Sequence, residues 1–163
     1  MLTSDGLTRT QFMPLWREAM VHAVAPRERC RLILEMGRVG AKEDGHAEPL
    51  LIAVSDKNEP PMTLLPLLDL PSATAAPQVR SGVQERLSDL GATEVYVLAT
   101  LQGPQGAFLL TSWGETLDGE EHCHLLAYRK RGDKIEEAQV LIAPDPTVTQ
   151  ISRQCSGLLT PRH

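Results

Sequence analysis

The sequence is poor in aromatic residues. They make up 4 % of its 163 residues, namely Phe12, Trp16, Tyr96, Phe108, Trp113 and Tyr128. That leaves no row of stacking platforms for single-stranded nucleic acid. Basic charge is also short: 16 Lys and Arg stand against 21 Asp and Glu, for a net charge of -5. A surface of that sign repels phosphate backbones, so a nucleic-acid partner is not expected. The acidity is spread along the chain, at −1 for residues 1–80 and −4 for 81–163, and no charged tail stands out.

Cysteine is equally scarce. Cys30, Cys123 and Cys155 are odd in number, far apart, and form no Cys-x-x-Cys. A disulfide framework or a four-thiolate zinc site is therefore not expected. No apolar run nears the roughly 20 residues that cross a bilayer. The first residues lack the basic start and apolar core of about 7–15 residues that a secretory signal needs. The expectation is one cytoplasmic domain over 1–163 with reduced thiols and no membrane partner. With 42 % hydrophobic and 23 % charged residues, the composition is that of an ordinary globular domain.

Hydrophobic spacing supplies the elements. Leu15, Trp16, Ala19, Met20, Ala23 and Val24 mark one face of a helix. Thr8 and Gln11 fit a capping box with Leu7 and Phe12 as staple. Pro14 would then fall inside the helix, so a start near Pro14 is the expectation. Residues 27–36 fit helix or strand, with helix favoured by Arg and Glu content. Gly37 to Pro49 reads as a loop. Leu50 to Val54 and Met62 to Leu68 read as a hairpin, with Pro66 marking an edge or an early end. Val79, Val83, Leu87 and Leu90 mark a helix that starts at Pro77 and is capped by Gly91. Four strands follow: Val95 to Leu101 (apolar on both faces, hence central), Ala107 to Trp113, Cys123 to Lys130, and Ile135 to Ala143. The tail from 147 to 163 reads as a short strand at Val148 to Ile151 or as a loosely held end.

This order predicts an α+β fold in two layers. The sheet is mainly antiparallel, a hairpin plus a four-strand meander, with helices packed on one face. Strand alternation divides the third meander strand. Cys123, Leu125 and Ala127 are assigned to the helix-covered face, and His122, His124, Leu126 and Tyr128 to the other. Leu141 joins the second set, and Trp113 is a further candidate. A sheet face that carries large side chains and is covered by nothing is a candidate surface for pairing with a second copy or with another protein.

Chemical motifs are few. His122 and His124 point the same way on a strand and could share a metal, with Glu115, Glu137 or His46 as third ligand. Two histidines fall short of the three or four ligands zinc takes. His46-Ala47-Glu48 has the His-x-Glu of zinc deaminases, but no Pro-Cys-x-x-Cys follows. Gly37-Arg38-Val39-Gly40 sits before an acidic stretch, unlike an RNA-clamping Gly-x-x-Gly loop. Arg131-Gly132-Asp133 reads as a hairpin turn. No Gly-x-Ser-x-Gly elbow, Walker A loop or Gly-x-Gly-x-x-Gly is present. The leading expectation is a non-catalytic binding or accessory protein that needs no cofactor and forms a homodimer through the open sheet face. The alternatives are a metal-assisted hydrolase at His122 and His124, or a small-molecule sensor beside Trp113.

Overall fold

A computed structural model describes residues 1–56, 61–66, 76–132, 134–137 and 144–159. Helix α1 spans Arg9–His22. It starts at the capping box, upstream of the start expected near Pro14. Thr8 accepts from the Gln11 amide (3.2 Å), and the Gln11 side chain accepts from the Thr8 amide (3.0 Å). Leu7 packs into the same apolar cluster as Phe12, which completes the staple. Pro14 lies inside the helix. Thr10, whose carbonyl loses its partner there, is exposed, so water can replace the bond. Burial of Phe12, Trp16 and Met20 outweighs what proline costs.

Helix α2 spans Pro26–Asp44. The helical reading of 27–36 holds, and the loop expected over 37–49 is overturned as far as Asp44. Gly37 stays helical because it faces the sheet: a Cβ there would meet Leu98 Cδ1 at 2.8 Å and Leu110 Cδ1 at 3.1 Å. The helix stops at Gly45, which takes the left-handed conformation (φ 79) that glycine adopts without strain.

Six strands form one antiparallel sheet: β1 Leu50–Val54, β2 Met62–Pro66, β3 Glu94–Gln102, β4 Phe108–Thr116, β5 Glu121–Arg131 and β6 Lys134–Glu137. Their order is β2-β1-β3-β4-β5-β6. The hairpin therefore joins the meander through β1 against β3, with Leu50 opposite Leu98 and Val54 opposite Glu94. β3 is central, as its two-sided apolar pattern predicts. β2 ends at Pro66 on the sheet edge, where a missing N–H is tolerated. The expected strand ends at Leu68 and Ala143 fall outside the described residues.

The α+β class and the antiparallel sheet stand as expected, and α1 and α2 pack on one face. There Phe12, Trp16, Cys30 and Ile33 meet Ile52, Tyr96, Leu98, Leu110 and Tyr128. The second face also carries helices. α3 (Pro77–Asp89) and α4 (Pro144–Cys155) bury Val83, Leu87, Ile151 and Cys155 against Leu51, Val95, Val97 and Trp113. The short strand expected at Val148 to Ile151 is instead part of α4. Val148, Ile151, Cys155 and Leu158 recur at helical spacing, and the last three are buried. Polar contacts hold this segment. Arg80 donates to the carbonyls of Gln154 (3.0 Å) and Ser156, and Gln84 to that of Gly157 (3.1 Å). Among the described residues no helix is long and apolar enough to cross a membrane.

Gly114 admits the ring of Tyr96. A Cβ at this position would stand 2.5 Å from Tyr96 Cδ1 and Cε1. Gly114→Ala is expected to lower unfolding free energy by about 1–3 kcal/mol in denaturant titration, the usual range for overpacking. Gly82, on the open side of α3 with nothing within 4 Å, gives the opposite sign. Gly82→Ala should stabilise by about 0.5–1 kcal/mol.

Candidate functional site

The residues expected on an open sheet face are placed as follows. His122, His124, Leu126 and Tyr128 do share one face of β5, as alternation requires. That face lies beneath α2 and is not open. Tyr128 is fully buried in the α1/α2 core and stacks on Phe108 with ring centroids 5.5 Å apart. Leu126 and His124 are half-buried. Trp113 pairs with Cys123 and so belongs to the opposite face, where α3 and α4 bury it completely. Leu141 falls outside the described residues. The expectation failed because α2, which runs eight residues past the segment 27–36, lies over this face, with Arg27 and Arg31 beside His124.

The metal set is also divided. Glu115 pairs with Glu121, which places it with Trp113 and away from the histidines. Its carboxylate accepts from the amides of Gly157 (2.8 Å) and Leu159 (3.3 Å), and so anchors the segment after α4. Glu121 likewise accepts from Trp113 Nε1 (2.9 Å) and Ser152 Oγ (2.7 Å). His122 Nε2 lies 3.0 Å from Glu120 without hydrogen-bond geometry. Glu137 pairs with Arg38, and His46 lies beside Glu48 at 3.5 Å. Among the described residues, no three His, Cys, Asp or Glu side chains converge on a point a metal could occupy. Burial pushes the Cys123 thiol up to about 11 and the Cys30 thiol up to about 12, far from a reactive thiolate at neutral pH.

Uncovered apolar surface lies elsewhere, along the hairpin edge of the α1/α2 face. β2 is only partly covered: Met62 packs against the α1/α2 core, while Leu64 and Pro66 are exposed. Met62 and Leu64 pair with Val54 and Ile52, so their side chains project to the α1 side. Leu64 remains 40 % exposed, and Val21 on α1 is 59 % exposed. A cleft of about 200 Å³ opens between Val21 and Met62, lined also by Met20, Val54 and Pro61. A second, of about 290 Å³, lies at the other end of α1 against Met13, Met36, Val39, Leu50 and Leu98. Methionines suit such a surface because their flexible side chains adapt to varied shapes. The composition of the edge strand, Met-Thr-Leu-Leu-Pro, was readable in the sequence. Pro66 hinted at an edge, but the full strand order was not readable, because it is not a local property.

One wall of the first cleft is polar and rigid. Arg29 donates through Nε and Nη2 to both Glu94 oxygens, each at 2.6 Å, and through Nη1 to the Ala23 carbonyl. Tyr96 donates to Glu94, and its hydroxyl lies 3.3 Å from the Pro26 carbonyl. Burial would lower the Arg29 pKa. The Glu94 hydrogen bonds and charge outweigh it and hold the guanidinium above its ordinary value. Burial and the same carboxylate push the Tyr96 phenol up. Arg29 and Glu94 on this wall are already paired with each other, and Ser55, Asp56 and Thr93 complete the polar lining.

Comparison with protein-family models, with curated proteins and with solved structures finds no match.

His124 provides a pH test of the covered face. Burial lowers its pKa, and the neighbouring Arg27, Arg31 and His122 lower it further. As pH falls through about 6.5, the unfolded chain takes up this proton before the folded chain does. Stability is therefore full above that pH and declines in acid. The expected outcome for His124→Asn is a shallower loss of unfolding free energy between neutral pH and the folded pKa. An unchanged pH profile would show that the ring is solvated and the face open.

Proposed function

We propose that the protein works by association with another polypeptide, through the outer side of hairpin β1–β2 and the adjoining flank of α1. The observation that carries this reading is the uncharged edge strand β2 with Leu64 exposed on it, next to a cleft that Met62 shares with Val21 of α1. An edge strand offers unpaired backbone groups, and proteins usually guard such edges with charge. Apolar side chains flanking an unguarded edge give a partner both main-chain hydrogen bonds and side-chain contact. The role is one of binding, in the manner of an accessory protein, and needs no catalytic step. The three free cysteines fit work in a reducing compartment, the cytoplasm.

The test pans a displayed library of short peptides against the folded protein. Selected sequences are expected to be apolar and extended, and to lose binding to the Val21→Glu, Leu64→Glu double variant. Both sites are exposed, so that variant should melt within a few degrees of the parent. Selected peptides that bind the double variant equally well would overturn the assignment to this surface. An empty selection, together with a strictly monomeric protein, would overturn the association reading itself.

A further inference from the structure

Resting on that reading, we propose that the partner of strand β2 is a second copy of this chain, added edge to edge about a two-fold axis through Leu64.

The hydrogen-bond phase of the hairpin sets which groups face outward. Ser55 donates its amide to the Pro61 carbonyl at 2.8 Å. In the register Ala53↔Thr63 and Leu51↔Leu65, alternation makes these the hydrogen-bonded pairs. Thr63 and Leu65 therefore direct their backbone groups at β1. Met62, Leu64 and Pro66 direct theirs away from it, and among the described residues no strand lies there. Pro66 has no N–H to offer, so the outward ladder has two donors, Met62 and Leu64, and three carbonyls.

A two-fold axis at Leu64 overlays all five residues of β2 on their own copies in antiparallel order. Leu64 exchanges two hydrogen bonds with the second copy's Leu64. Each Met62 amide donates to the other copy's Pro66 carbonyl. The donor that proline lacks then falls at the two ends of the ladder, where water can serve the unpaired Met62 carbonyl. On the α1 side, Leu64 meets Leu64 and Met62 meets Pro66. On the other side, Thr63 meets Leu65. All of these are close cross-strand pairs.

Charge singles out this edge for self-pairing. A two-fold axis brings the residue on the axis against itself, so a charge there would face its own sign. β2 carries none. The opposite edge, β6, is Lys-Ile-Glu-Glu and is guarded in the ordinary way. Four hydrogen bonds and a few apolar contacts fall short of the roughly 1,200 Å² that a stable interface buries. The dimer is therefore expected to be weak and concentration-dependent.

Sedimentation equilibrium across the micromolar range tests this, using the full chain and two variants. Leu64→Pro removes the central outward donor and breaks no hydrogen bond to β1. Leu64→Lys places a positive charge on the axis. The expected result is a reversible dimer whose dissociation constant rises at least about tenfold in each variant, with little change in melting temperature. If the proline variant unfolds, the lysine variant decides alone. A dimer that both folded variants leave intact would overturn the strand pairing. A monomer at high micromolar concentration would overturn self-association and leave the peptide selection to judge the broader reading.

Discussion

The α1/α2 layer depends on one close approach in the middle of the sheet. Gly114 has no side chain, and the Tyr96 ring occupies the space that one would fill. From there the phenol reaches Glu94 and the start of α2, Glu94 holds Arg29, and Arg29 reaches the end of α1. A line of contacts thus runs from the centre of the sheet to the junction of the two helices. It fixes α1 and α2 on this face of the sheet, with β2 only partly covered at its edge. A partly buried ion pair such as Arg29–Glu94, with side chains 11 % and 12 % exposed, adds little net stability. Losing one partner of it is costly, which is the property expected of a fixture that sets geometry.

Much of this was legible from spacing alone. The two-sided apolar run at Val95 to Leu101 marked the central strand, and Pro66 marked an edge or an early end; the Thr8/Gln11 pair carried the true start of α1, but Pro14 moved the expected start downstream. Three features were hidden. Gly37 and Gly40 read as loop residues because glycine is a poor helix former, yet Gly37 is the residue that lets α2 lie close on Leu98 and Leu110. Counting such glycines as small core-facing residues would have carried the helical period from Cys30 through Ile33 and Gly37 to Ala41. Pro144 and Pro146 suggested the end of a sheet, although proline is equally at home in a first helical turn. The covered face was hidden as well, because half-polar alternation at His122 to Tyr128 does not say what lies above it.

The two edges of the sheet are treated differently. β6, over its described residues, is charged and tied down by Arg38–Glu137 and Arg131–Glu136 contacts. β2 has no charged residue and one proline. A sheet protected on one side only can extend in a single direction, and pairing about a two-fold axis consumes that one free edge. Such assembly closes at two copies and leaves no template for a fibre.

The clasp on α4 bears on how the chain matures. Trp113 and its apolar neighbours are made well before Ile151, Cys155 and Leu158, which complete the cover that α3 begins. Glu115 finds its amide partners only when Gly157 and Leu159 exist. During synthesis the α3 side of the sheet is thus completed last, after the α1/α2 side has its full set of packing partners. For that interval a nascent chain presents an indole and aliphatic strand faces that α3 covers only in part, the kind of surface that chaperones capture.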